Sequence, residues 1–116
     1  EAARQTGARF VRDPAPTAAV CYNDAVALGL IAGLSTRGRR AGHDFAVTGF
    51  DDIPEASVSA RPLSTIAVDP RARGRQAADL ILQRLRDPST PAATTIAPVR
   101  LHVRASSHFT LPGDAA

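Results

Sequence analysis

The run Thr17-Ala-Ala-Val-Cys-Tyr22, closed by Asn23-Asp24, sets the reading of the whole chain. It is short, continuously apolar and bounded by a polar turn, the pattern of a strand buried on both faces of a parallel sheet. The next segment has a different period. From Ala25 to about Thr36, Val26, Leu30 and Leu34 recur at four-residue steps beside Ala27 and Ile31. That spacing lays an apolar stripe along one helical face, with Asp24 as the natural N-cap.

Downstream the same order recurs. Gly38 and Gly42 bracket an exit loop, Phe45-Ala-Val-Thr-Gly49 is a second buried-strand pattern, and Phe50-Asp51-Asp52-Ile53-Pro54 is an acidic turn. Ser64-Thr-Ile-Ala-Val68 is a third such run. It stops at Asp69-Pro70, where Asp69 caps a helix whose first position is Pro70. Within Pro70–Arg86, Ala77, Ile81 and Leu85 form a stripe reinforced by Ala78 and Leu82, and Asp87-Pro88 ends it. After the linker Ser89–Pro91, Thr94–Ala97 and Val99–Arg104 read as extended. Val99, Leu101 and Val103 alternate with Arg100, His102 and Arg104, which predicts a half-exposed edge strand. At the ends, Glu1–Arg12 reads as a frayed or truncated helix stopped by Asp13-Pro14-Ala15-Pro16, and Pro112–Ala116 as a disordered tail.

Alternating strands and helices predict an α/β layer, a mostly parallel sheet flanked by helices. In such sheets ligands gather beyond the carboxyl ends of the strands. Those ends are Tyr22-Asn23-Asp24, Gly49-Phe50-Asp51-Asp52 and Val68-Asp69, so polar residues fall where that rule puts a site.

Composition narrows the functional classes. The 116 residues suit one domain or a piece of one, and 44% are hydrophobic with only 4% aromatic. All 14 basic residues are Arg, scattered apart from Arg37–Arg40 and Arg71–Arg75, and a net charge of +3 is weak support for direct DNA contact. Cys21 has no partner for a disulfide, which points to a reducing, cytoplasmic setting. No apolar stretch approaches the roughly 18 residues of a membrane span, so no membrane partner is expected. His43, His102 and His108 lack metal-ligand spacing, and Asp51-Asp52 alone makes no oxygen-ligand site. Ser106-Ser107-His108 has no partnered acid, and no glycine-rich phosphate loop follows a strand. Neither catalysis nor a metal or other cofactor is expected.

Four residues stand out as ligand-binding candidates. Asn23 offers a donor and an acceptor at a strand end, which suits vicinal hydroxyls of a sugar or the edge of a purine. Asp51 offers a carboxylate that accepts from two adjacent hydroxyls, while Asp52 serves equally as a turn former. Tyr22 and Phe50 are able to stack on a sugar or base, although an aromatic beside a core strand more often serves packing. Asp24 is explained as a helix cap.

The segments that carry these residues resemble the LacI/GalR family of bacterial transcription regulators. The match runs through PTAAVCYNDAVALG at 16–29, FAVTGFDDI at 45–53, Pro62-Leu-Ser-Thr-Ile66, Gly74 with Ala77 and Leu82, and Val103-Arg-Ala-Ser-Ser107. Each is weak alone; five in the same order are specific. The resemblance implies the C-terminal lobe of a type I periplasmic-binding-protein-like fold, its N-terminal lobe missing. Residues 1–116 would be part of an effector-binding and dimerisation domain, with helix 70–86 packing on the other lobe. It implies a repressor that holds a small effector, a sugar or nucleoside, in a cleft between lobes. Operator DNA would be read only through a helix-turn-helix absent from this chain. A homodimer is implied, through Leu28, Ile31 and Ala32 on the helix after the Asn-Asp turn and Val58, Ser59 and Ala60 after the Asp-Asp turn. One departure matters: Val68 stands where the family often has a polar residue that reaches the effector, which weakens any specific sugar assignment. His43, where the family usually has proline, affects only loop stiffness. The alternatives are a periplasmic solute-binding protein of a sugar transporter, and a flavodoxin-like enzyme or signalling domain, which should show a phosphate loop or an acidic phosphorylation pocket.

Overall fold

The computed structural model describes Ala2, Arg4 and residues 16–108. Apart from Ala2 and Arg4, which are helical, the helix read over Glu1–Arg12 lies outside the described residues, as does the tail Pro112–Ala116. The elements are β1 (Ala18–Val20), α1 (Asp24–Ser35), β2 (Ala46–Thr48), α2 (Pro54–Val58), β3 (Thr65–Ala67), α3 (Pro70–Arg86), β4 (Arg100–His102) and a 3-10 turn at Ala105–Ser107. The α/β expectation is met: β1 and β2 pair in parallel, Ala18 opposite Ala46 and Val20 opposite Thr48. Parallel bridges then join Thr48 to Ser64 and Asp51 to Ala67, bringing β3 alongside β2, and β3 pairs with β4.

The chain divides into two compact units, Glu1–Ala67 with Leu101–Ala116, and Val68–Arg100. In the first, the core is Ala27, Leu30, Leu34, Ala41, Phe45, Val47, Ala56 and Leu63. Phe45, Leu34, Leu63 and Val47 are its largest fully buried apolar side chains, each worth about 2 kcal/mol of burial. The face of α1 that enters this core is centred on Ala27, Leu30 and Leu34, and Val26, expected in the stripe, is 40% exposed. Residues at i, i+3 and i+7 share a face, so the helix is rotated slightly from the four-residue reading.

Other expectations need correction. β1 is not buried on both faces: Val20 is 90% exposed and Ala18 is exposed as well, since the described residues cover one side only. Thr94–Ala97 joins no ladder, and of Val99–Arg104 only Arg100–His102 pairs. The short helix α2 has no signature in the sequence, because Pro54-Glu-Ala-Ser-Val58 is too brief to show a period. Gly42, at φ +71°, closes the loop after α1, its N–H donating to Phe45 O at 2.8 Å. A Cβ there would run into the carbonyl of Ala105, so glycine is required twice over.

In the second unit, α3 keeps its expected limits. Asp69 caps it by accepting from Ala72 N at 2.8 Å, Pro70 occupies the first turn, and the helix stops at Arg86. None of its residues is buried; Ile81 is 61% and Leu85 73% exposed. No described helix is long and apolar enough to cross a membrane.

Candidate functional site

Two turns at the carboxyl ends of β1 and β2 build the site. They are laced by the backbone: Cys21 N donates to Thr48 O and Asp24 N to Phe50 O, both at 2.9 Å, while Asp51 N donates to Ile66 O at 3.0 Å. Parallel pairing aligns the strand ends, so Tyr22-Asn23 and Phe50-Asp51 emerge side by side. All four candidate ligand residues line one depression of about 300 Å3.

Within it the roles differ from the sequence reading in one respect. Asn23, not Asp24, caps α1: its Oδ1 accepts from Val26 N at 3.0 Å. The cap position is the residue still extended, with φ −154° and ψ 178°, and Asp24 is already in the helix. Asn23 therefore has its Nδ2 donors and the second lone pair of Oδ1 left for a ligand. Asp24 is fully buried, where its carboxylate accepts from Ile53 N at 2.9 Å and from Thr65 Oγ1 at 2.5 Å. Its partners among the described residues are these two donors, and it sits in the first turn of α1; no basic side chain among them pairs with it. This knot fastens the Asn-Asp turn to the acidic turn and to β3. The pattern alone hid it, because a buried acid and a capping acid look alike in sequence.

The acidic turn divides its labour. Asp51 is exposed at φ 109° and Asp52 adopts φ 55°, both in the left-handed half of backbone space. The Asp51 carboxylate takes no hydrogen bond or ion pair from the described residues. Asp52 is held instead: Arg104 Nη1 lies 2.8 Å from its Oδ1 and His102 Nδ1 3.1 Å from its Oδ2. Arg104 also donates from Nη1 to Leu63 O at 3.0 Å. A positive φ at two successive aspartates costs of the order of 1–3 kcal/mol each. The Asp52 pairing holds the turn in that form, leaving Asp51 unpaired toward the depression. Tyr22 is 89% exposed and Phe50 half-buried, so an aromatic surface lies beside the Asp51 carboxylate and the Asn23 amide. Burial pushes the thiol of Cys21, next to Tyr22, above its ordinary value.

The closing serines are structural. Ser106 is fully buried, its Oγ donating to Val47 O at 2.6 Å and accepting from Ser64 N at 2.8 Å. Ser64 Oγ in turn donates to Arg104 O at 2.9 Å, accepts from Arg104 N at 2.7 Å and meets Ser107 Oγ at 2.6 Å. These hydroxyls pin the chain end to β2 and to the start of β3. Among the described residues no three His, Cys, Asp or Glu side chains converge to hold a metal ion.

A second depression, of about 440 Å3, is lined by Leu28, Ile31, Ala32, Ser59 and Ala60 together with Ser35, Arg40, Ala41 and Arg61. Five of the six residues expected at a dimer interface meet there, and Val58 is 81% exposed. Arg61 shapes its floor, donating from Nε to Ala41 O at 2.7 Å and from Nη2 to Gly42 O at 3.1 Å.

Known proteins resemble this chain in sequence and in fold. Residues 1–107 match the model of the periplasmic binding protein-like domain. The chain is 39% identical over 75 residues to the HTH-type transcriptional repressor PurR of Vibrio cholerae, a match covering 65% of this chain and 22% of that protein. A LacI family transcriptional regulator from Arthrobacter sp. FB24, in complex with lactose, superposes with TM-score 0.78 at 38% identity, covering 92% of this chain and 41% of that one. The lac repressor dimer bound to operator and the anti-inducer ONPF gives TM-score 0.80 at 30% identity, covering 90% and 37%. The chain thus spans about a fifth of the length of the curated relative it matches.

Proposed function

The chain belongs to the periplasmic binding protein-like domain family, in the form found in LacI/GalR regulators, and from that premise we propose that it is the effector-sensing and dimerisation part of a cytoplasmic transcription repressor. Its relatives are transcriptional repressors rather than enzymes. The observation that carries the reading is the convergence of Tyr22, Asn23, Phe50 and Asp51 on one depression at the strand ends. A sugar or nucleoside fits the chemistry. Asp51 accepts from two adjacent ligand hydroxyls, the Asn23 amide donates to a ring or hydroxyl oxygen, and the aromatic faces cover the apolar side of a sugar or a base. Lactose is the ligand of one relative, which supports the sugar class.

Two further parts of the reading concern partners. The depression around Leu28, Ile31, Ala32, Ser59 and Ala60, with Val58 beside them in sequence, is where a second copy docks. The lac repressor relative is a dimer on its operator. Operator DNA is read by a helix-turn-helix outside these residues, consistent with the modest net charge of +3. The exposed stripe of α3, Ile81 and Leu85 among it, is the face that rests on the other lobe of the effector domain.

A thermal-shift screen of the full-length regulator against lactose, ribose and a set of nucleosides tests the site, because a ligand of the native state alone raises the melting temperature. The reading expects one class to stabilise the protein and Asp51→Ala to abolish the shift. A stabilising sugar or nucleoside whose shift survives Asp51→Ala would place the site elsewhere.

A further inference from the structure

His102 neither caps a helix, packs in the core nor lines the ligand depression, yet it is held in a defined place. Its Nδ1 sits 3.0 Å from Arg104 Nη2 and 3.1 Å from Asp52 Oδ2. An arginine only donates and an aspartate carboxylate only accepts, so one ring nitrogen faces an obligate donor and an obligate acceptor. It cannot serve both. With a lone pair on Nδ1 it accepts from Arg104; with a proton there it repels the guanidinium and pairs as a cation with the Asp52 carboxylate.

We propose that His102 is a pH-sensitive positioning residue for the Asp51–Asp52 turn, its Nδ1 accepting from Arg104 in the neutral tautomer that carries its proton on Nε2, and the ring ion-paired with Asp52 when it is protonated. The charged groups that face it are Asp52 across the turn and Arg104 two residues along the chain. The strand paired with its own, Thr65-Ile-Ala67, carries no titratable side chain. All three members are partly withdrawn from water, with side-chain exposures of 32% for His102, 21% for Asp52 and 19% for Arg104, so bulk screening does not erase the choice. Protonation places a second cation against the Oδ2 edge of Asp52 and frees Arg104 Nη2, while Arg104 Nη1 stays paired with Oδ1. Asp52 adopts positive φ and Asp51 immediately precedes it, so a change of grip on Asp52 is passed to the backbone that aims the Asp51 carboxylate. Effector affinity then depends on pH through a histidine that never touches the effector.

The proposal rests on Asp51 being the effector ligand, and its test is chosen to be separable from that reading. The 15N-labelled chain is titrated by NMR from about pH 5.5 to 8, the range in which imidazoles as a class change charge. The ring signals of His102 and the backbone amide signals of Asp51 and Asp52 are followed together. We expect both amides to shift with the midpoint of the His102 ring. In His102→Asn and in His102→Gln they should go flat. In Asp52→Asn the His102 ring should still titrate, with its imprint on the Asp51 amide reduced severalfold. Amides at 51 and 52 that ignore pH in the parent chain, or that respond equally in both His102 variants, overturn the proposal. No effector enters the experiment, so flat amides sink this proposal and leave the site reading standing, while a fruitless ligand screen removes the effector from its last step and leaves the pH response of the turn standing.

Discussion

The carboxylate of Asp24 accepts a hydrogen bond from Thr65 Oγ1 at 2.5 Å, across 41 residues of sequence and with both residues fully buried. With the bond from Ile53 N, it ties the first strand-end turn to the second and to β3. The two turns that form the candidate depression are thereby joined through one buried carboxylate.

Asp24→Ala is therefore expected to destabilise the chain by about 3 kcal/mol, because Ile53 N–H and the Thr65 hydroxyl both lose their acceptor in a place water does not reach. Urea denaturation measures it. A loss under about 1 kcal/mol would mean that the site relaxes enough to satisfy both donors another way.

Asn23 serves two ends at once, and two substitutions separate them. Asn23→Ala should cost about 1 kcal/mol of stability through the lost cap and also weaken effector binding. Asn23→Ser keeps a capping oxygen and so the stability, yet lacks the amide. If calorimetry gives the serine variant full effector affinity, the amide has no part in binding.

Asp51→Gly should leave the fold as stable as before or more so by roughly 1 kcal/mol, since glycine takes a positive φ without strain. Effector affinity should fall about tenfold or more, as one to two hydrogen bonds to a desolvated ligand are lost. Stability that drops in this variant would show that the Asp51 side chain holds the turn rather than the ligand.

Val58→Asp places a charge on a side chain that is 81% exposed. The fold of one copy should be indifferent to it, while a two-fold contact would bury an unpaired carboxylate. Sedimentation equilibrium should show the full-length regulator dissociated at concentrations where the parent is dimeric. A dimer of undiminished strength removes Val58 from the interface.

Cys21 should react sluggishly. Burial raises its thiol pKa, so at pH 8 its thiolate fraction lies below that of a free cysteine. Because the neutral thiol is the form the folded chain favours, this contribution to stability is intact below the ordinary thiol pKa and lost as pH rises through the raised one. Alkylation by iodoacetamide at the rate of free cysteine would contradict the burial.

Local pattern determined part of this protein. Asp69-Pro70 and Asp87-Pro88 bound α3 in the sequence as they do in space, because proline and a capping aspartate act on neighbouring residues only. The apolar runs before Asn23 and before Phe50 placed strand ends and polar turns in the right order, and strand parallelism then brought Tyr22, Asn23, Phe50 and Asp51 together. Tertiary structure decided what local pattern leaves equivalent. Asn23 and Asp24 are both good caps, and only the entry angle of the chain assigned the cap to Asn23 and sent Asp24 into the interior. Asp51 and Asp52 are likewise the same residue twice, and what separates them is Arg104 and His102, some fifty positions away and reached only once β4 lies beside β3. Long-range pairings carry no periodicity, so the division between the aspartate that is paired and the one left open to the depression exists only in the folded chain.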